Sequence, residues 1–152
     1  MEIVAYKPIY AKVFKDLNKV WLEKYFVVEP IDEEVLSHPE QYIIDKGGKI
    51  FFAIMDGEPV GCFAFMKEQE SNEMELTKMA VSEHHQGKKI GNQLLQFAFE
   101  EAKRMGWKQL ILYSNTRLEP AIHLYKKYGF VEIDLGTAIY KRANIKMEKK
   151  LS

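Results

Sequence analysis

Few residues in this sequence could cross-link the chain or hold it in a membrane. Cys62 is the single cysteine among 152 residues, which excludes an intramolecular disulfide and a cysteine-based metal cluster. The longest apolar run, Ile50 to Met55, is far shorter than the roughly 20 residues that a membrane-spanning helix needs. The first residues, Met1 to Val4, lack the basic and apolar regions of a signal peptide. We therefore predict a cytoplasmic protein with no membrane association.

An excess of charge of either sign is also missing. Lysine plus arginine and aspartate plus glutamate number 22 each, so the formal net charge is zero. Nucleic-acid-binding proteins normally carry a basic excess that neutralises phosphates, so we predict no nucleic-acid partner. Five basic residues near the C-terminus leave a local RNA-binding patch as an alternative to a solvated strand end: Lys141, Arg142, Lys146, Lys149 and Lys150. No repeat, low-complexity tract or flexible linker divides the sequence, which predicts a single domain over residues 1–152.

Apolar residues at steps of three and four predict the helices. The first helix spans residues 10–25, and its apolar positions are Val13, Phe14, Leu17, Val20, Trp21 and Tyr25. A second helix begins near Asp32, and Pro39 begins a short third one. A long helix over residues 91–105 has an inner stripe of Leu94, Leu95, Ala98, Ala102 and Met105. A last helix follows Pro120 and ends before Gly129.

Short apolar and aromatic runs predict the strands, at residues 2–6, 49–55, 60–66, 73–81, 108–114, 130–134 and 145–151. The dipeptide Asp56-Gly57 separates two of these runs and predicts a β-hairpin. Hairpin strands therefore flank one β-α-β-α unit. This order predicts an α/β fold in which helices pack on a mixed sheet.

The segment from Val81 to Asn92 is the most informative part of the sequence. A strand feeds a glycine-bearing loop that opens directly into the long helix, so free N–H groups and the positive end of the helix dipole point to one spot. Gly87 and Gly91 let the backbone approach an anion closely. The pattern predicts an anion site, with a purely structural turn as the alternative. A P-loop does not fit because Asn92 follows Gly91, and a dinucleotide fingerprint does not fit because Lys89 replaces a glycine.

Four segments resemble the GNAT family of N-acetyltransferases, in the family's order. Residues 86–91, Gln-Gly-Lys-Lys-Ile-Gly, resemble its coenzyme A pyrophosphate loop, Q/R-x-x-G-x-G/A, with Lys89 in place of a glycine. Residues 75–81 resemble the family's fourth strand. Asn115 and residues 121–130 resemble its N…A-x-x-L-Y-x-x-x-G-F segment, and residues 140–147 resemble its endings. The resemblance covers nearly the whole chain and implies a mixed, mostly antiparallel twisted sheet of about seven strands flanked by about four helices.

By this resemblance the chain is an enzyme that transfers the acetyl group of acetyl-CoA, its co-substrate, to a primary amine by direct attack in a ternary complex. Loop N–H groups are implied to hold the pyrophosphate, and the fourth strand is implied to pair with the pantetheine arm. The implied cofactor-binding residues are Met79, Ala80, Val81, Gln86, Gly87, Lys88, Lys89, Ile90, Gly91, Asn92, Asn115, Ala121 and Tyr125. The alternative is a non-catalytic acetyl-CoA-binding or sensing module of the same fold.

Two residues are the predicted catalytic groups. The resemblance places Tyr125 beside the sulfur as the general acid for the departing thiolate, and a tyrosine that only packs is the alternative. An amine must lose a proton before it attacks, and a carboxylate with a raised pKa is the natural base. Glu75 is the first choice because it shares a strand face with Thr77 and Met79 unless a bulge intervenes, and Glu73 is the second. The family's usual oxyanion donor is a main-chain N–H near Met79.

The acceptor, a small-molecule amine or a protein or peptide amine, is not named by the sequence. The resemblance implies that its site is built by the first helices and the last hairpin, with the residues Trp21, Tyr25, Phe26, Glu29, Asp32, Tyr140 and Arg142. The carboxylates favour a cationic amine, whereas Arg142 favours a substrate carboxylate. No metal is predicted, because the four histidines are scattered or merely adjacent. The sequence leaves a homodimer through the C-terminal strands open.

Overall fold

A computed structural model describes residues 1–68, 71–136 and 140–151. Within these ranges the strands are β1 (Glu2–Ala5), β2 (Lys49–Met55), β3 (Glu58–Lys67), β4 (Met74–Val81), β5 (Gln109–Ser114), β6 (Val131–Ile133) and β7 (Ile145–Lys150). The helices of eight or more residues are α1 (Ala11–Tyr25), α2 (Pro30–Ser37), α3 (Ile90–Arg104) and α4 (Glu119–Lys127). Short helical turns lie at Pro8–Tyr10, Glu40–Ile44 and Glu83–His85. Each predicted strand and helix is present, with ends that differ by at most two residues.

The seven strands of the described chain form one sheet in the order β1-β2-β3-β4-β5-β7-β6. Neighbouring strands run antiparallel except β4 and β5, which are parallel across the α3 crossover, as far as the described residues show. This architecture confirms the predicted mixed, mostly antiparallel sheet with four substantial helices. None of the described helices is long and apolar enough to cross a membrane.

Helix α3 packs on one face of the sheet through its first turns. Ile90, Leu94 and Leu95 are buried there against the side chains of β3 and β4. Gly61 of β3 permits this contact, because a Cβ at that position would lie 3.2 Å from Leu94 Cδ1 and 3.3 Å from Ile90 Cγ2. The buried stripe continues through Ala98 and Ala102 as predicted, whereas Met105 lies beyond the helix and is exposed. This packing fixes where the N-terminus of α3 meets the end of β4.

Helix α1 covers the opposite face, but along a different line from the predicted one. Its buried residues are Phe14, Asn18 and Leu22, whereas Val20 and Tyr25 from the predicted apolar stripe are exposed. Asn18 is tolerated inside because its side-chain amide donates to the Phe14 carbonyl at 2.9 Å. A polar residue therefore occupies the centre of the buried face, which apolar periodicity could not indicate.

Candidate active site

A pocket opens where β4 and β5 separate. In the described structure the two strands pair at only two positions, Met74 with Leu110 and Glu75 with Ile111. Past these pairs lies an open pocket whose walls come from α1, β4, β5, α4 and residues 140–143. The split leaves the later residues of β4 without a neighbouring strand on that side, so their main chain can pair with an extended ligand.

A β-bulge in β4 redirects the side chains at this split. Cys62 pairs with Ala80 and Ala64 with Thr77, so two β4 residues, Lys78 and Met79, stand opposite a single residue of β3. Met79 consequently packs with the residues beneath α3, whereas Ala80 packs beneath α1. The bulge that the prediction for Glu75 made an exception for is therefore present: Glu75 keeps the strand parity of Thr77 but not that of Met79, because the extra residue reverses the alternation of side chains after Thr77.

Glu75 is a buried carboxyl group in the wall of this pocket, with 4% of its surface exposed. Burial raises its pKa to about 7, although the positive charge of Lys78 and the Thr77 hydroxyl oppose the rise. A carboxyl group with this pKa is partly ionised at neutral pH and can exchange a proton with an amine. By contrast Glu73, the second predicted base, does not line the pocket, and it accepts from the Gln109 amide at 3.0 Å.

Tyr125 lines the same pocket from α4. Its ring packs against Phe130, with ring centres 5.8 Å apart. Burial raises the pKa of its phenol, so the hydroxyl keeps its proton at neutral pH and can donate it. The structure thus brings Glu75 and Tyr125, the two predicted catalytic residues, to one cavity from different sides of the split.

The predicted pyrophosphate loop presents an uncapped helix end. Lys89 is the N-cap of α3 and makes no side-chain cap, so the first N–H groups of the helix have no partner within it. Lys89 adopts a left-handed conformation (φ 60°), which explains why a glycine suits this position of the loop pattern. A Cβ at Gly91 would meet no atom within 4 Å, so open space faces the helix end. These features fit a bound pyrophosphate group.

Six of the other predicted cofactor residues fall into three groups. Ala121 and Asn115 line the pocket, but the Asn115 amide already donates to the Arg142 carbonyl at 2.8 Å and fixes that segment. The side chains of Ala80 and Ile90 are buried in the two cores, so these residues can offer a ligand only their main chain. Val81 and Gln86 line a second groove that adjoins the loop.

Arg142 is held by carboxylates rather than free in the acceptor pocket. Its guanidinium donates to Asp32 at 2.6 and 2.9 Å and to Glu29 at 3.1 Å. Glu29 also accepts the main-chain N–H of Lys141 at 2.9 Å. Asp32 and Glu29 cap α2 as well, since the Glu29 N–H donates to Asp32 at 2.9 Å. The cluster ties residues 140–142 to the start of α2.

The other predicted acceptor residues are divided by the structure. Trp21, Phe26 and Tyr140 line the pocket together with Arg142. Tyr25 does not; it is 40% exposed and lines the second groove. Tyr140 is buried and its hydroxyl accepts from the Lys78 ammonium at 3.1 Å.

Lys78 is a charged pocket residue that the sequence reasoning missed. It is 8% exposed and projects from the β4 bulge, and burial lowers its pKa while the charge of Glu75 opposes the change. A signal was available, because a lysine within the buried run Leu-Thr-Lys-Met-Ala-Val of residues 76–81 is unusual. Thr77, Asn18 and Tyr113 also line the pocket and were not predicted to belong to the site.

Among the described residues no group of three or more His, Cys, Asp or Glu side chains could hold a metal ion.

Comparison with known proteins identifies the fold. An acetyltransferase of the GNAT family from Staphylococcus aureus Mu50 superposes with a TM-score of 0.87 at 21% identity, over 99% of both chains. The Salmonella typhimurium protein yncA, described with its cofactor acetyl-CoA, superposes with a TM-score of 0.76 at 18% identity, over 100% of this chain and 94% of that one. At these identities the two structures establish the fold.

Sequence comparison identifies the family. The uncharacterized N-acetyltransferase YjgM of Escherichia coli is 32% identical over 132 residues, which are 84% of this chain and 76% of YjgM. A probable N-acetyltransferase 14 of Xenopus tropicalis is 32% identical over 83 residues, 54% of this chain, and an N-acetylaspartate synthetase of the same organism is 31% identical over 100 residues, 64% of this chain. The matches span only 40% and 36% of those two relatives. The profile described as the acetyltransferase (GNAT) family matches residues 13–130, and the chain therefore belongs to this family, whose co-substrate is acetyl-CoA.

Proposed function

We propose that the protein is an N-acetyltransferase that moves the acetyl group of acetyl-CoA to a primary amine by direct attack in a ternary complex. The observation that carries this proposal is the shared pocket of Glu75 and Tyr125, in which burial raises the pKa of the carboxyl group to about 7. One group can accept a proton and the other can donate one at neutral pH. The pocket lies where β4 and β5 separate, and β4 leads directly into the loop before α3.

The loop and the strand are the elements that would hold the co-substrate. The N–H groups of Ile90, Gly91 and Asn92 form the first turn of α3, where the helix dipole favours an anion. The main chain of β4 beyond Glu75 would pair with the pantetheine arm. Acetyl-CoA, when bound, supplies an acetyl thioester. The side chains of Lys88 and Lys89 are exposed beside the loop and add positive charge near the phosphates.

Proton transfer is the part of the reaction that this chain's side chains carry out. The Glu75 carboxylate takes the proton that the amine loses as its new C–N bond forms. The Tyr125 hydroxyl gives a proton to the sulfur as the C–S bond breaks. The two transfers leave Glu75 protonated and Tyr125 ionised, so a proton must pass back through solvent before the next cycle. No covalent bond to the enzyme is required.

The alternative is a binding module that holds acetyl-CoA without turnover. A carboxyl group that is 4% exposed is costly to retain in a pure binding site, which favours the enzyme. The names of relatives do not select an acceptor, because they include an N-acetylaspartate synthetase and a streptothricin acetyltransferase. The RNA-binding alternative loses support where C-terminal lysines have local partners; Lys149 donates to the Tyr128 carbonyl at 2.6 Å, and Lys150 pairs with Glu148 at 3.0 Å.

The test combines binding with turnover. Calorimetric titration with acetyl-CoA should show saturable binding near one per chain, and ATP and NADH should not bind. Gly91→Asp should abolish that binding, because its new carboxylate would face the phosphates in space that is open in the protein. Gln96→Asp adds the same charge further along α3 and is the matched control. Thiol release with a panel of amines then separates the enzyme from the binding module, which would bind acetyl-CoA but release no thiol.

A further inference from the structure

Lys78 is a buried cation in a strained backbone position. It lies in the β4 bulge with a φ of 57°, a left-handed conformation that costs free energy for any residue with a Cβ. Its side chain lines the pocket that Glu75 also lines. Strained residues of this kind cluster at functional sites, because only a strongly determined surrounding structure retains them. The bulge therefore holds an ammonium group at the pocket wall.

The contacts of this ammonium group are with neutral oxygens. It donates to the Tyr140 hydroxyl at 3.1 Å and more weakly to the Thr77 hydroxyl at 3.4 Å. It also lies 4.8 Å from the centre of the Tyr140 ring. Among the residues that the structure describes, no carboxylate oxygen lies within 4.0 Å of Lys78 Nζ. An ammonium group has three donors, so capacity remains for an anionic ligand.

The second cation in the pocket wall does not have this capacity. Arg142 is bound by Asp32 and Glu29, whose carboxylates occupy its guanidinium. Of the two cations among the described lining residues, Lys78 is thus the one that no carboxylate contacts directly. The Glu29–Asp32–Arg142 cluster instead fixes the segment that carries Tyr140, and the Tyr140 hydroxyl accepts the hydrogen bond from Lys78.

We propose that the acceptor is a primary amine that also carries a carboxylate, such as an amino acid, and that Lys78 binds this carboxylate. The inference rests on the proposed function, since it places the acceptor amine beside Glu75. A zwitterion presents a cationic amine and an anionic carboxylate, and the pocket presents the carboxylate of Glu75 and the ammonium group of Lys78, both on strand β4. Trp21, Phe26 and Tyr113 supply apolar walls for the carbon skeleton. Complementary charges at both ends select such an acceptor over a simple amine.

The test compares amino acids with their amides, which keep the amine and remove the carboxylate charge. Wild type and Lys78→Met are assayed with glycine, leucine and phenylalanine, each against its carboxamide. We expect Lys78→Met to lower kcat/KM roughly 10- to 100-fold more for the acids than for the amides, mainly through KM. Loss of the ammonium charge also raises the pKa of Glu75, but this slows both acceptor classes alike and leaves their ratio unchanged. The comparison of the two enzymes on each acceptor cancels the different pKa values of the amines.

Two further variants guard against misfolding and loss of charge in general. Lys78→Gly suits the left-handed φ and removes the ammonium group, so it should repeat the loss while remaining folded. Lys103→Met removes an exposed lysine of α3 and should leave both acceptor classes unchanged. Equal losses for acids and amides in the Lys78 variants would overturn the proposal, because Lys78 would then serve the chemistry or the fold. An acetyl group on Lys78 itself, seen by peptide mass analysis, would also overturn it.

Binding separates this inference from the proposed function. The same acids and amides are titrated by calorimetry into protein saturated with coenzyme A. Acids that bind wild type but not Lys78→Met support the carboxylate site even if no acceptor is ever acetylated, an outcome that would defeat only the transferase. Turnover of amides or simple amines without any preference for acids would leave the transferase intact and overturn the carboxylate site.

Discussion

Replacing Glu75 by glutamine should change the pH dependence of stability in a direction that the burial of this residue fixes. The pKa is about 7 in the folded protein and 4.5 as the ordinary value, so ionisation is harder in the folded state than in the unfolded chain. The contribution of such a group to the free energy of unfolding is fully present below pH 4.5 and is lost as pH rises through about 7. The difference between the two pKa values corresponds to about 3 kcal/mol. Glutamine keeps the shape and cannot ionise.

The assay is urea unfolding of wild type and Glu75→Gln from pH 5 to pH 8.5. We expect similar free energies of unfolding near pH 5 and a variant that is more stable by about 3 kcal/mol above pH 8. Glu100→Gln removes an exposed carboxylate from α3 and should follow wild type. Curves for wild type and Glu75→Gln that stay parallel across this range would refute the argument, because Glu75 would then have the same pKa in both states.

Lys78 must be separated from this effect, since its charge and that of Glu75 act on each other. In the double variant Glu75→Gln/Lys78→Met both charges are gone, and stability should vary little between pH 5 and pH 8. Lys78→Met alone should raise the pKa of Glu75 further, because it removes the charge that opposes the rise. If Glu75 is the base, the rising limb of kcat/KM should have an apparent pKa near 7 in wild type and should disappear in Glu75→Gln.

Three other substitutions test the remaining parts of the site. Tyr125→Phe should lower turnover roughly 100-fold and leave acetyl-CoA affinity near its starting value in calorimetry, whereas unchanged turnover would remove Tyr125 as the acid. Lys89→Gly should raise the free energy of unfolding by about 1 kcal/mol, because glycine relieves the φ of 60°, and equal or lower stability in urea would contradict the strain. Arg142→Met should destabilise the protein by roughly 3 kcal/mol, because it leaves the fully buried Asp32 without its partner; a change below about 1 kcal/mol would show that the ion pair is not required.

The order of strands and helices followed from local patterns in the sequence. The Lys49–Met55 strand was predicted with both ends correct, because Asp56-Gly57 fixes the turn that follows it. The inner face of α1 was less accurate, with Asn18 buried and Val20 exposed. Burial of a polar side chain depends on a partner elsewhere on the helix or sheet, here the Phe14 carbonyl and the Cys62 thiol. Periodicity does not contain that information.

In the site, too, some features follow from local sequence patterns and others depend on tertiary contacts. The loop pattern and the resemblance indicated Gly91, Glu75 and Tyr125, and the structure brings the last two to one pocket. The role of Arg142 was left undecided by the sequence, since the choice depends on whether Asp32 and Glu29 reach it. Both do, at distances that only the packing of α2 against residues 140–142 determines.

The sequence by itself determined the order of the elements, the glycine-bearing loop before α3 and the family, because each depends on residues that are neighbours along the chain. Tertiary structure alone decided the β4 bulge, and with it which side chains enter the pocket. The bulge depends on how β4 pairs with β3, because the pairs that flank it, Ala64 with Thr77 and Cys62 with Ala80, join residues far apart in the sequence. A one-residue shift in that pairing reverses every later side chain, so Met79 packs against the core beneath α3, while Lys78 and Met79 both line the pocket.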